Sequence, residues 1–385
     1  MSKSKEVLKK NTMLIALVIV TVFFAIGTNG TLLVPQNVTN LIAQNGYVVV
    51  LAVGMLICIL TGGNIDLSVG SIVALVGAVA GTLIVNKDLN IWVSIPICLA
   101  VGILIGIWQG FWIAYIRIPA FIVTLAGMLL WRGVALIILG GMTISPFPEN
   151  YLGIFNNYVP DVFKGSINIT SLVLGVIVCV VYVVSQVLGR VGRRKKGYEI
   201  ESFTAAITRS VIICVVVMAL AFSLSYHKGI PAILILLAVV VMIYAYFTTK
   251  TVPGRYLYAM GGNEKAAKLS GINTNKVLFF AYVNMAFLSA LAALMCVARF
   301  NSAAPTAGTN YELDAIGACF IGGASAYGGV GKVTGVVIGA IFMGVLNNGM
   351  SIMGIDSNIQ KTVKGGVLLA AVAFDVISKK RSKAS

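Results

Sequence analysis

Along most of the chain, apolar residues predominate over stretches of about 12 to 26 positions with few polar interruptions, and short polar breaks separate the stretches. The runs are continuous rather than alternating, so they suit helices and not barrel strands, and most approach the roughly 20 residues that a helix needs to cross a hydrocarbon core. The pattern predicts helical spans over residues 12–27, 47–61, 68–85, 91–116, 120–139, 167–188, 210–226, 230–249, 277–298, 313–324, 333–353 and 359–377. Residues 28–46 read as a polar connection. Two of the spans, 47–61 and 313–324, are too short to cross unaided. The fold class expected is an all-α polytopic membrane protein with ten to twelve transmembrane helices, short or broken ones among them.

Composition agrees with a lipid solvent. Hydrophobic residues make up 59% of the 385 positions and charged residues 10%, against roughly a quarter charged in soluble domains. The 41 glycines suit close helix packing in membranes. The net charge of +16 is unevenly placed: 19 of the 28 lysines and arginines fall in segments 3–10, 190–209, 250–276 and 379–383. Basic clusters in short loops and tails mark the cytoplasmic face. With the N-terminus inside, strict alternation puts all four segments in the cytoplasm and leaves the external connections only Lys87, Lys164, Lys228 and Arg299. The organisation that follows is a basic cytoplasmic leader (1–11), one transmembrane permease domain (12–378) with basic cytoplasmic loops at 190–209 and 250–276, and a basic cytoplasmic tail (379–385). A nucleic-acid surface would need a contiguous basic stripe with stacking aromatics, which is absent. The six cysteines all lie in apolar runs without a CxxC pair, and His227 is the one histidine, so nothing points to a metal site or disulfide framework.

Two polar segments carry most of the chemical information. Gly62-Gly63-Asn64-Ile65-Asp66-Leu67-Ser68-Val69-Gly70-Ser71 sets a carboxylate between two apolar stretches. Asp66 or Ser68 suits the start of the next helix, where an oxygen satisfies orphan amides; the other reading is part of a gate or path wall. The phrase Leu60-Thr61-Gly62-Gly63 also echoes Ile321-Gly322-Gly323 ahead of a second Gly- and Val-rich span. Repeats with broken helices are common in transporters, although Gly-rich apolar segments also match by chance. In the 250–276 loop, Asn263 reads as a cap, 264–270 as a two-turn helix carrying small Ala266 and Ala267, and Gly271 as its stop. Such a helix is a suitable lever for a separate soluble motor, while length and charge alone would make it a solvated loop. The chain has no phosphate-binding Gly-x-x-x-x-Gly-Lys-Ser/Thr: Gly331-Lys332 is followed by Val333.

The spacing Glu264-x-Ala266-Ala267-x-x-x-Gly271 resembles the EAA loop of ABC-importer permeases, the helix that contacts the ATPase subunit. Gly63-Asn64-Ile65-Asp66-Leu67-Ser68-Val69-Gly70-Ser71 and Gly261-Gly262-Asn263-Glu264-x-Ala266-Ala267-x-Leu269-Ser270-Gly271-Ile272-Asn273 resemble two signature stretches of the ribose/xylose/galactoside permease family. So do Pro305-Thr306-Ala307-Gly308, Tyr311-Glu312-Leu313-Asp314-Ala315-Ile316 and Leu346-Asn347-Asn348-Gly349-Met350. Ile118-Pro119-Ala120-Phe121-Ile122-Val123-Thr124-Leu125-Ala126-Gly127-Met128, followed by Thr143-Ile144-Ser145-Pro146, is most similar to xylose-type and multiple-monosaccharide members. The basic hairpin around 190–209 is also similar to those members and departs from shorter ribose-type ones. The resemblance implies a non-enzymatic, type II-like permease without its own cofactor, in a bacterial inner membrane. Its implied partners are two ABC ATPase modules, a periplasmic or lipid-anchored sugar-binding protein, a second permease copy and membrane lipid, with no nucleic acid. Asn263, Glu264, Ala266, Ala267 and Gly271 are then the ATPase-coupling residues.

Charges inside spans need a reason, since isolating one costs at least ~2.5 kcal/mol. Lys361 and Lys364 stand three apart near the outer end of the last span, where they either snorkel or, with Arg299, form a positive rim that docks the binding protein. The gate or path candidates are Asn64, Asp66, Ser68, Trp108, Gln109, Asn347 and Asn348, polar or aromatic groups that suit a neutral sugar but also serve as interhelical glue. An ion-coupled carrier would need titratable groups near midplane, for which Asp66, Glu312 and Asp314 are the candidates. A membrane enzyme would need paired carboxylates, and Glu312 with Asp314 is the close pair.

Overall fold

The computed structural model describes residues 12–163, 165–198 and 202–384. The basic leader and Lys164 lie outside them. Among the described residues the chain is helical without strands, and nine helices are long and apolar enough to cross a membrane.

The first helix, α1 (Thr12–Gly27), ends in a tight connection with a 3-10 turn over Thr31–Leu33. Helix α2 then runs over Pro35–Leu60. The expected polar connection 28–46 is therefore mostly helix. Pro35 sits in the first turn, where its missing N–H costs nothing. The polar residues that look like a loop find partners on other helices: Asn45 Nδ2 donates to Ala340 O at 2.7 Å, and Asn37 and Asn348 exchange amide hydrogen bonds at 2.9 and 3.2 Å. Helix α3 (Val69–Gly81) is short and is prolonged by a π turn over Thr82–Asn86; α4 (Ile91–Ala114) and α5 (Ala120–Leu139) follow. The surface helix α6 (Glu149–Asn156) leads to a long hairpin, α7 (Ile169–Lys195) and α8 (Phe203–Ser225), and then to α9 (Ala232–Lys250). Both hairpin helices overrun their expected ends, so most of the basic 190–209 segment is helix; Ser202 caps α8 by accepting from Ala205 N.

Between the spans α9 and α12 lie two short helices, α10 (Val252–Gly262) and α11 (Glu264–Leu269). Helix α12 (Thr274–Phe300), the short α13 (Tyr311–Ile321), α14 (Val333–Ile352) and α15 (Ser357–Ala384) complete the chain. Helices α2 and α12 form the centre, and more than half of the residues of each are buried. Gly102, Gly106 and Gly110 make a stripe on α4, four residues apart, against α12. A Cβ at Gly102 would lie 2.5 Å from the Ala290 Cβ, and one at Gly106 would lie 2.7 Å from the Val283 Cα. Small residues at this spacing let two backbones touch, so packing replaces the hydrophobic drive that lipid cannot supply.

Candidate functional site

Helix α11 begins at a kink. Asn263 is extended (φ −162°, ψ 102°) and its Oδ1 accepts from Ala266 N at 3.0 Å, which satisfies one of the free amides of the first turn. Gly271 takes φ +84°, a left-handed conformation that ends the helix, and Ile272 N closes back onto Ala267 O at 3.1 Å. The two-turn helix expected from the sequence is thus present with its expected cap and stop. Ala267 faces inward and is buried, while Lys265, Lys268 and Ser270 are exposed. Leu269 is 89% exposed, a large apolar side chain at the tip with nothing to cover it.

An arginine from elsewhere in the chain holds this helix. Arg117 Nη1 donates to Glu264 Oε1 at 2.7 Å, and its Nη2 donates to Thr274 Oγ1 at 3.0 Å and to Asn275 Oδ1. Arg117 lies in the short α4–α5 connection with φ +65°. Its fork therefore ties that connection to both α11 and the start of α12. Glu264 engages Arg117 within the chain, and Arg117, Glu264, Lys265, Lys268 and Asn275 line an open groove of about 490 Å³. Sequence reasoning missed Arg117. Its one signal is a cation in a five-residue break, outside the four basic clusters.

Helix α10, also missed, wedges α11 against the core. Thr251 caps it by accepting from Gly254 N, and a proline sits in its first turn, yet its glycines give it the look of a loop. At its end, a Cβ on Gly261 would lie 1.9 Å from Leu60 O and 2.3 Å from Gly329 N. Gly329 N itself donates to Leu60 O at 3.2 Å, and Tyr258 Oη donates to Gly331 O at 2.9 Å. The two echoing glycine stretches also touch: a Cβ on Gly63 would meet Ala326 O at 2.1 Å, and one on Gly328 would meet Gly62 Cα at 2.4 Å. Three glycine-lined backbones thus meet at one junction beside α11.

The non-helical stretch 61–68 leads from this junction to a buried polar network. Asp66 and Ser68 are fully buried. Asp66 Oδ1 accepts from Ser68 N at 2.8 Å and from Ser68 Oγ at 2.6 Å, and Ser68 Oγ accepts from Gln109 Nε2 at 2.7 Å. Asp66 Oδ2, Gln109 Oε1 and Trp131 Nε1 have no hydrogen-bond partner among the described residues. Trp131 meets Trp108 edge to face with centroids 5.3 Å apart, and Trp108 is partly exposed. One turn on, the α3 backbone crosses the 301–310 segment: a Cβ on Gly70 would lie 2.1 Å from Gly308 O. Arg132 Nη1 donates to Ala307 O at 2.5 Å and to Pro305 O at 3.3 Å, fixing that segment against α5.

The remaining sequence candidates separate. Asn64 folds onto its own turn by donating to Thr61 Oγ1 at 3.2 Å. Asn348 is the glue to Asn37, whereas Asn347 Oδ1 is buried and unpartnered among the described residues. Lys364 turns inward: its Nζ lies 2.9 Å from Asp314 Oδ1, and its side chain is only 17% exposed. Of the three cations placed on an outer rim, only Arg299 and Lys361 are exposed. A buried carboxylate on α13 draws the third away, because an unpaired charge there would be costly.

Comparison with known proteins agrees with this architecture. The family model described as "Branched-chain amino acid transport system / permease component" matches residues 37–372. The chain is 39% identical to the xylose transport system permease protein XylH of Haemophilus influenzae, over 99% of this chain and all of the relative. It is 38% identical to XylH of Escherichia coli K12, covering 96% of this chain and 92% of that one. The ribose import permease protein RbsC of the same strain is 36% identical, covering 88% of this chain and 85% of the relative. No solved structure matches the chain. With a family match over most of its length and relatives of nearly equal extent, the chain belongs to this family of transport-system permease components and is a multi-pass membrane transport subunit, not an enzyme.

Proposed function

We propose that the chain is the membrane-spanning permease of an ATP-driven importer for a monosaccharide, xylose or a closely related sugar, delivered by an extracytoplasmic binding protein. The observation that carries this reading is α11: a capped helix with an uncovered leucine, clamped by Arg117 and wedged through Gly261 onto both glycine stretches. The likeness to a xylose permease along the whole chain supports the sugar class. The basic segments support an inner-membrane orientation with both termini and α11 on the cytoplasmic side.

In this mechanism two ATPase modules grip α11 on two copies of the chain. ATP binding displaces α11, and α10 carries the displacement to 61–68 and 322–332 at once, because the three backbones leave no free space between them. The stroke reaches the Gly70–Gly308 crossing and the Asp66–Ser68–Gln109 network, where a segment from each side of the membrane meets. The chain thereby shifts between inward- and outward-facing states whose energies differ by the ATP-dependent grip.

Proteoliposomes with the chain, its ATPase and its binding protein are expected to accumulate labelled xylose when ATP is supplied, at a rate unaffected by an uncoupler. Uptake that collapses on uncoupling while ATP stays high would instead indicate an ion-coupled carrier. In the same vesicles, Arg299→Glu with Lys361→Glu is expected to weaken binding-protein docking and raise the concentration of that protein needed for half-maximal uptake. Unchanged docking by the double variant removes the rim from the mechanism.

A further inference from the structure

The α7–α8 hairpin stands apart from the central bundle, and most of its surface is exposed valine, isoleucine and leucine. Its two helices touch at one end and part at the other. At the close end a Cβ on Gly175 would lie 2.6 Å from the Ala221 Cβ, and further along Cys179 Sγ reaches Cys214 O at 3.7 Å. Beyond that point a groove of about 890 Å³ opens between them. Its walls are apolar, with Val211, Val215 and Met218 among them, and its basic end is lined by Arg190, Arg193 and Arg209. None of the described residues that line it is acidic. Gly189, which lines the groove beside Arg190, has open space where a side chain would stand, which keeps the groove wide at the level of the arginines.

We infer that this groove holds a phospholipid with an anionic head group, acyl chains along the valine walls and phosphate among the arginines. The volume falls within the range of about 300–1,000 Å³ typical of small-ligand sites. A guanidinium fork matches phosphate oxygens in pairs, and Arg190 is already oriented by lying 5.4 Å over the Phe203 ring. Arg209 is steadied by donating to Gln186 Oε1 at 3.2 Å. Across residues 190–209 the sequence has six basic residues (Arg190, Arg193, Arg194, Lys195, Lys196, Arg209) against two acidic ones (Glu199, Glu201, outside the described residues), so the segment stays strongly positive. Basic pockets between spans at the cytoplasmic boundary are sites of this class; the assignment of that boundary rests on the proposed orientation.

Native mass spectrometry of the full chain in mild detergent tests the site without ATP, sugar or partner subunits, so its outcome is separate from that of the transport reading. Titration with phosphatidylglycerol and with phosphatidylcholine of the same acyl chains is expected to give retained adducts for the anionic lipid only. Arg190→Gln with Arg193→Gln is expected to lower its affinity on the order of fivefold for each arginine removed, whereas Lys195→Gln with Lys196→Gln, outside the groove, leaves it largely intact. Three results would overturn the assignment: equal retention of both lipids, unchanged retention by the arginine variant, or equal loss in the lysine variant. Conversion of a dimer to a monomer by the arginine variant would also overturn it, since the groove would then be an interface between copies.

Discussion

Leu269→Asp is expected to abolish capture of the ATPase subunit while leaving the permease folded. A side chain 89% exposed contributes nothing to the internal packing of this chain, so replacing it does not disturb the fold. Buried in a partner's cleft, however, a leucine is worth about 1.5–3 kcal/mol, and an unpaired carboxylate in the same cleft adds a desolvation cost. A loss of about 2 kcal/mol or more is about 30-fold or greater in affinity. The ATPase should fail to copurify, and ATP-driven uptake should fall to background with unchanged surface expression. Arg117→Gln should act more weakly, because it loosens the seat of α11 without removing its contact surface: the Arg117–Glu264 pair is about two-fifths exposed on each side and is partly screened. Normal copurification of the Leu269→Asp protein would exclude the tip of α11 from the docking surface.

The second large effect separates docking from transmission. Gly261→Ala places a methyl carbon 1.9 Å from Leu60 O and 2.3 Å from Gly329 N, both backbone atoms that cannot rotate away. The junction must open, at a cost of about 1–3 kcal/mol or more, and the hydrogen bond from Gly329 N to Leu60 O is the first to break. The proposed ATPase-docking face lies on α11 and is untouched. The expected phenotype is therefore a complex that assembles and hydrolyses ATP but moves little sugar, with a melting temperature lowered by a few degrees. Gly262→Ala is the control one residue on, where a Cβ meets nothing within 4 Å, and it should transport normally. If Gly261→Ala transports as well as the parent chain, the stroke does not pass through this junction.

What could be seen in the sequence depended on how far apart the interacting residues lie. The α5 span is readable to the residue, 120–139, because apolar run and helix coincide and Pro119 and Gly140 bracket them. The cap and stop of α11 are local devices, and Asn263 and Gly271 announce them. The first twelve residues of α2 were hidden because Asn37 and Asn45 are paired across the fold: Asn37 looks like a loop residue until Asn348, 311 positions away, is seen to complete it. Arg117 and Glu264 are 147 positions apart. Asp66, Ser68 and Gln109 were each legible as candidates, but their joining into one network was not, since no period in the sequence relates α3 to α4. Trp131, whose indole N–H is buried beside that network without a hydrogen-bond partner among the described residues, lay in a mostly apolar run whose pattern offered no reason to single it out.

The Asp314–Lys364 pair has a consequence for how the protein is made. As the ribosome releases it, α15 brings Lys361, Lys364 and Asp375 to the insertion machinery, and a lysine in a nascent span disfavours transfer into lipid by up to about 2.5–3.5 kcal/mol, the cost at the helix centre, and by less near the outer end where these two stand. Helix α13 carries the complementary burden in Asp314 and, at eleven residues, is too short to span by itself. Each segment is thus a poor solitary passenger, and together Lys364 and Asp314 neutralise one another. The expected consequence is that the segments from Tyr311 to the C-terminus enter the bilayer more readily together than either does alone.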